Sequence, residues 1–380
     1  MIASQDFPPS TGGVQTWAAA LASALRVDHD VHVVAPRHQH ASAFDRGFAV
    51  PVVRVPGTSD TMFVRGAPQL AATVRRLRPD LLLHAQWTSA AIAPLLRARG
   101  WCGALAIATH GRELLLELPP GIAHARRELL RRAEHVFAVS RYTAGLCRAL
   151  GVANPVVVRN GVDLQRCDPA RWHAPAQRFR ARHGVGDRPL VVSVARLLPH
   201  KGIDTAIAAM KRVRDVVPDA LYLVVGDGPD RERLASLAAG TSVRFIGRVD
   251  DDERDAAIAA ADAFAMLSRD APPAVEGFGL VALEAAALGV PVVAGDSGGV
   301  RDALLDGAIG TLVSPRDHDA AANALIALLR DRDRARMLGA RARDLVATTS
   351  SWRHTAAAIV THVRTVAQLR SDRHATFAHW

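Results

Sequence analysis

Short apolar runs alternate with segments of helical periodicity along almost all of this 380-residue chain. The runs at 31–35 (VHVVA), 50–55, 80–85 (DLLLHA), 104–109 (ALAIAT) and 135–140 (HVFAVS) are strand-length and read as buried strands. Between them, 15–25, 67–78 and 122–134 carry apolar residues three and four apart, the spacing of one helix face. A second alternation begins near residue 190. Strands are expected at 190–195, 220–225, 243–246 and 263–267, and helices at 203–216, 230–239, 252–261 and 318–330. Repeated strand–helix order predicts an α/β chain of two doubly wound, Rossmann-like parallel-sheet domains. In such sheets ligands sit at the carboxyl ends of strands, so the expected site is a cleft that the two domains face across.

The expected division is 1–168, 169–350 and a helical segment 351–380. In that last segment Trp352, Ala356, Ile359 and Val363 are in phase, which predicts packing back onto the first domain. Residues 164–186 hold Pro169, Pro175, Gly184 and Gly186 with few apolar runs, and read as an interdomain linker.

Charge narrows the partners. The net charge is +10, and only Lys201 and Lys211 are lysines, so the excess is nearly all Arg. Residues 1–170 hold 19 Arg against 12 Asp/Glu, giving +7, and the remainder gives +3. Such a balance suits phosphate-bearing partners: a nucleotide, an anionic lipid or, with least support, nucleic acid. No RRM, helix-turn-helix or zinc-finger pattern occurs, so nucleic acid is not expected. No apolar run reaches the ~18 residues of a membrane span, and no basic segment followed by an apolar one opens the chain. Cys102, Cys147 and Cys167 are odd in number and lack CxxC spacing, which predicts free thiols and a cytoplasmic setting.

One stretch concentrates the chemistry, 272–299 (PPAVEGFGLVALEAAALGVPVVAGDSGG). Glu276-Gly277-Phe278-Gly279 is a glycine-bearing loop, and Leu280, Leu283, Ala287 and Leu288 recur at helical spacing after it. A loop that opens a helix offers free N–H groups and the positive dipole end to an anion. Glu284 lies among apolar residues of that helix, where a lone acid is either paired or liganding. After the strand at 190–195 come Arg196 and Lys201, in RLLPHKG; a fork and a mobile point charge there read as a diphosphate clamp or as two ordinary surface cations. His110 ends the 104–109 strand, and reads as facing the cleft or as a hydrogen-bonded structural histidine. Gly12-Gly13 lets backbone approach an anion, or serves only a tight turn. Asp250-Asp251-Asp252 has a metal-like spacing, but acids opening a helix simply complement its dipole. Gly226-Asp227-Gly228 lacks the third glycine of a dinucleotide fingerprint, and HKGID is not a GK[ST] loop.

With these residues in hand the whole chain resembles the retaining glycosyltransferases of family 4, which have the GT-B fold. The shared signature is E-x7-E, here Glu276 to Glu284 in EGFGLVALE, with RLLPHKG, VVGDGP, VRFIGRV and VPVVAGDSGG in order around it. DFPPSTGGVQ and THGRE are most similar to the phosphatidylinositol mannosyltransferase branch, which uses GDP-mannose. The resemblance implies that Arg196 and Lys201 neutralise the donor diphosphate, assisted by the N–H groups of Gly277, Phe278, Gly279 and Leu280. It implies Glu276 on the transferred sugar, Glu284 on the ribose and Val249 at the base. It places Gly12, with Gly13, at the donor phosphate, His110 at the sugar near the reacting carbon, and Asp6 at the acceptor. No cofactor and no metal are expected, because the nucleotide sugar is a substrate. The expected partners are that donor, a lipid-linked or glycan acceptor, and an anionic membrane on the cytoplasmic side. Two basic helices would meet that membrane, one with Arg75, Arg76 and Arg78, the other with Arg126, Arg127, Arg131 and Arg132. Members of the family begin with a longer apolar strand than Met1-Ile2-Ala3-Ser4, so a clipped first strand or a late start is expected. Two other readings share the fold or its surface: a sugar-nucleotide 2-epimerase, and a non-enzymatic membrane-binding scaffold with a degenerate site.

Overall fold

The computed structural model describes residues 1–377, and side chains as far as Leu369. Strands β1 (Ile2–Ala3), β2 (Val33–Pro36), β3 (Val52–Val55), β4 (Leu81–His84), β5 (Ala104–Thr109), β6 (His135–Ala138) and β7 (Val156–Val157) form one parallel sheet, in the order β3-β2-β1-β4-β5-β6-β7. Strands β8 (Leu190–Val194), β9 (Leu221–Val225), β10 (Val243–Gly247), β11 (Ala263–Met266), β12 (Val292–Gly295) and β13 (Thr311–Val313) form a second, in the order β10-β9-β8-β11-β12-β13. In each sheet the order reverses once, between β1 and β4 and between β8 and β11. That reversal is where doubly wound sheets bind ligands. Ile2 pairs with both Val33 and Leu83, and Ala263 pairs with Val191, so both reversals are hydrogen-bonded parallel contacts. Strands β2, β6, β9, β11 and β12 are buried along their whole length, as sheets covered on both faces require.

The chain divides into two compact units. Unit 1 is Met1–Gly161 with the chain from Trp352 onward, and unit 2 is Val162–Ser351. The crossing therefore falls before the expected break at 168. The expected linker is also corrected. Residues Pro169–Arg182 are a helix of unit 2, with Trp172 and Phe179 buried. Asp168 caps it by accepting the Ala170 N–H at 3.1 Å. Pro169 stands in the first turn, where a missing N–H costs nothing, and Pro175 is carried inside the helix. Proline content made the segment look irregular, while two aromatic anchors made it fold.

Trp352, Ala356 and Ile359 are buried as their spacing predicts. Their helix, Trp352–Phe377, packs on helix Gly13–Leu25 within unit 1. Helix Arg332–Thr349 has no counterpart in the sequence reading. Its sequence is charged nearly all round, and it buries only small residues and one valine: Ala335, Gly339, Ala342 and Val346. A Cβ on Gly339 would lie 1.9 Å from the Gly289 carbonyl oxygen, so the helix approaches by backbone contact, which leaves no apolar periodicity to read.

The core of unit 2 gathers Val191, Ile207, Met210, Tyr222 and Leu325. Unit 1 has separate clusters around Ile107 and Leu130 and around Leu70 and Leu82. Burial of each such large side chain contributes about 1.5–3 kcal/mol. All three cysteines are free and buried. Among the described residues no helix is long and apolar enough to cross a membrane.

Candidate active site

In unit 2 the loop after β11 leads into helix Leu280–Ala287. Gly279, at φ 102°, takes the cap position in a left-handed conformation, and no side chain caps the helix. The leading N–H groups are thus left without a side-chain acceptor. The Glu276 carbonyl accepts the Gly299 N–H at 2.8 Å. Gly298, at φ 53°, lies so close that a Cβ would stand 2.2 Å from the Glu276 oxygen. The DSGG loop after β12 therefore wraps the Glu276 backbone and requires glycine to do so.

The Glu276 side chain accepts Lys201 Nζ at 2.5 Å and Ser268 Oγ at 3.3 Å. Burial works to raise its pKa, but the Lys201 ammonium outweighs that and holds the carboxyl below its usual range. Lys201 ends a short turn, Pro199–Lys201, after β8. The turn is anchored where the Arg269 N–H donates to the His200 carbonyl at 2.8 Å. The Arg269 guanidinium forks onto Asp204, with both bonds at 2.8 Å. Arg196 is exposed. The structure thus couples Lys201 to Glu276 rather than to Arg196.

Glu284 is paired. Its Oε2 accepts Arg254 Nη2 at 3.0 Å. Burial raises its pKa, opposed by Arg254 and Arg166. Arg254 comes from helix Asp251–Ala259, which Asp250 caps by accepting the Glu253 N–H at 2.8 Å. The acidic run at 250–252 is a helix start, as its position predicts. Val249 precedes this cap and is partly buried, Phe278 is buried, and Gly277 and Leu280 are partly buried.

In unit 1, β1 runs into Asp6, whose carbonyl accepts Ser4 Oγ at 2.6 Å. The Asp6 carboxylate accepts Gln15 Nε2 at 3.4 Å, and burial raises its pKa. Gly12 and Gly13 open helix Gly13–Leu25 and are exposed, with no side-chain cap at Gly12. A Cβ on Gly12 would lie 2.5 Å from Gln15 Oε1. His110 follows β5. Its Nε2 is 2.9 Å from the Ala85 carbonyl, so that nitrogen carries the proton and Nδ1 keeps a lone pair. Trp17 meets the ring edge-on at 5.1 Å. Burial lowers the His110 pKa, with Glu113 opposing, and keeps the ring neutral at pH 7. The hydrogen-bonded role is therefore real, and it leaves one nitrogen to act as an acceptor.

Arg126 is a correction. Read as a membrane-facing cation, it is 7% exposed, and its Nη1 donates to the Glu113 and Leu116 carbonyls at 3.1 and 3.2 Å. It pins the short helix Arg112–Leu115 that follows His110, and Glu113 of that helix accepts the His110 N–H on its Oε1 at 2.6 Å. Periodicity placed it on the helix, but two acceptor carbonyls turned it inward. Arg75, Arg76, Arg78, Arg127, Arg131 and Arg132 are exposed. Arg254, Ser268 and Gln15 were missed. Arg254 sits in a charge run, DDERDAA, that looks like any solvated helix start.

Residues 176–345 match the family described as Glycosyl transferases group 1, and residues 11–166 match that described as Glycosyltransferase Family 4. The chain is 36% identical over 369 residues to the GDP-mannose-dependent alpha-(1-6)-phosphatidylinositol monomannoside mannosyltransferase of Mycolicibacterium smegmatis, covering 93% of this chain and 95% of that protein. It is 30% identical over 334 residues to the phosphatidyl-myo-inositol mannosyltransferase of Mycobacterium leprae, covering 84% of each. Among solved structures, Anabaena HepE in complex with UDP and glucose superposes with a TM-score of 0.75 at 19% identity, covering 96% of this chain and 99% of that one. Sucrose-phosphate synthase of Thermosynechococcus elongatus gives a TM-score of 0.74 at 23% identity, covering 97% and 99%. The two solved structures share the fold.

Proposed function

The chain belongs to glycosyltransferase family 4 and is a hexosyltransferase of the GT-B fold, and from that premise we propose that it moves mannose from GDP-mannose to a phosphatidylinositol-mannoside type of lipid-linked acceptor. One observation carries this reading: the likeness, over 93% of the chain, to a mannosyltransferase named for that donor and that acceptor class.

The residues can meet the chemistry. Bond cleavage leaves a diphosphate that gains charge. Arg196, Lys201 and the N–H groups of Gly277, Phe278, Gly279 and Leu280 supply opposing charge and donors without a metal. Lys201 has three N–H bonds, so it can keep Glu276 and still reach a phosphate oxygen. The transferred sugar becomes oxocarbenium-like, and Glu276 and His110 Nδ1 accept its hydroxyls and hold it in place. Glu284 accepts the ribose hydroxyls, Val249 meets the base, Gly12 and Gly13 approach the donor phosphate, and Asp6 orients the acceptor hydroxyl. Attack comes from the leaving-group face with retention, the departing phosphate taking the acceptor proton. The exposed arginines of the two basic helices draw the protein to anionic membrane, at about 1 kcal/mol for each cation near the surface.

The test is transfer by the purified protein to phosphatidylinositol mannoside in vesicles, from GDP-mannose and from UDP-glucose in parallel, with and without EDTA. An α-mannosylated lipid from GDP-mannose alone, formed equally with EDTA, is expected. Transfer from UDP-glucose alone overturns the donor, a β-linkage by NMR overturns retention, and loss of activity with EDTA overturns metal independence.

A further inference from the structure

The carboxylate assigned above to the ribose does not stand alone. Arg254, which bonds Glu284 at 3.0 Å, is held at the same time by its neighbour: its Nε and Nη2 donate to Asp255 Oδ1 at 3.0 and 2.8 Å. Asp255 is 3% exposed, and its other oxygen accepts Arg166 Nε at 2.5 Å. Arg166 lies between β7 and helix Pro169–Arg182, outside every motif singled out in the sequence. Its backbone is fixed from both sides. Its carbonyl accepts the Trp172 indole N–H at 2.6 Å, and its N–H donates to Asp163 Oδ1 at 3.1 Å. Two cations and two anions thus form one continuous relay, Arg166–Asp255–Arg254–Glu284, and the exposed Asp251 carboxylate stands 3.7 Å from the Arg166 guanidinium at its outer end.

We propose that Arg166 and Asp255 are positioning residues for the nucleoside half of the donor. Arg166 holds Asp255, Asp255 fixes the Arg254 guanidinium, and Arg254 fixes one oxygen of Glu284, so that the other is presented to the ribose diol. This rests on the assignment of Glu284 to the ribose. A buried network of this kind depends on every member, because loss of one partner leaves an uncompensated charge that redraws the remaining bonds. Without Arg166, Asp255 has a free oxygen and competes for the Arg254 fork, and Glu284 is released. The diphosphate contacts are untouched, since Lys201 bonds Glu276 and takes no part in the relay.

Titration calorimetry on the full chain tests this with three probes: GDP, 2′,3′-dideoxy-GDP and inorganic pyrophosphate. Loss of an oriented charged acceptor predicts GDP binding about tenfold weaker in Arg166→Met, with pyrophosphate unchanged within about twofold. Removing the ribose hydroxyls should cost the wild type about tenfold and Arg166→Met less than about threefold, the signature of two changes on one path. In steady state the donor KM should rise while kcat stays within about threefold. Arg166→Lys should recover part of the affinity, and Asp255→Asn, which keeps the volume, should repeat the pattern if Arg166→Met does not fold. Wild-type GDP affinity in Arg166→Met, or a parallel loss of pyrophosphate binding, overturns the relay alone. A wild type indifferent to the ribose hydroxyls overturns the assignment of Glu284, and the relay with it.

Discussion

In unit 2 both candidate acids are already matched with cations, Glu276 with Lys201 at 2.5 Å and Glu284 with Arg254 at 3.0 Å. In unit 1 His110 answers to the backbone instead. His110 is tied to the Ala85 carbonyl, and the short helix after it is tied to Arg126 through the Glu113 and Leu116 carbonyls. Side-chain ion pairs leave donors and acceptors that a charged ligand can share. Backbone bonds fix an orientation and a tautomer. A ligand can therefore redistribute charge in unit 2, whereas unit 1 offers a set geometry.

The largest effect that could break this contrast is at Lys201. Lys201→Ala should lower kcat about 10³-fold, since it removes a cation aimed at developing charge. A drop of less than tenfold would mean that Lys201 serves only Glu276.

Acid should act first on unit 1. His84, at the end of β4, is fully buried, donates from Nδ1 to Ser89 Oγ at 3.1 Å and has no partner at Nε2. Burial pushes its pKa down to about 3. The unfolded chain binds this proton from about pH 6.5 downward while the folded chain refuses it, so stability falls with pH across that window. The loss should reach about 3 kcal/mol by pH 4. Limited proteolysis at pH 4.5 should cut within 1–161 before 162–351, and His84→Asn should delay those cuts. Cleavage starting in 162–351 would reverse the ordering.

His110→Ala should reduce kcat about 10²-fold through lost alignment, while donor binding by calorimetry stays within about twofold. A variant with full transfer activity would remove His110 from the site. Gly298→Ala should destabilise unit 2 by about 2 kcal/mol in urea unfolding, since its Cβ meets the Glu276 carbonyl at a positive φ. An unchanged midpoint would show that the DSGG loop can yield.

The smallest effect separates two arginines of one helix. Arg132→Ala should weaken binding to anionic vesicles by about 1 kcal/mol without changing Tm. Arg126→Ala should lower Tm and leave vesicle binding alone, because its guanidinium is spent on two carbonyls. The same loss of vesicle binding from both would put Arg126 back on the surface.

Most of the fold was legible. The helices at 203–216 and 318–330 fall on their expected residues, and the strand at 104–109 does likewise. Helix Pro169–Arg182 was hidden behind prolines, and helix Arg332–Thr349 behind charge and small residues. Of the candidate residues, the sequence singled out Glu284 as an acid needing a partner, but not the partner. Arg254 is thirty positions away on another helix, and Arg166 precedes a segment that read as linker.

The sequence by itself determined the alternation of strand and helix, hence two parallel sheets, and the glycines that let loops close over strand ends. Those are consequences of local periodicity and of backbone sterics, which neighbours along the chain settle among themselves. Tertiary structure alone decided which charges meet: Lys201 with Glu276, Arg254 with Glu284, Arg126 with carbonyls rather than with solvent. Pairing of that kind depends on which strand ends and helix starts the sheet order brings within about 3 Å, the reach of a hydrogen bond. No spacing in the sequence records it.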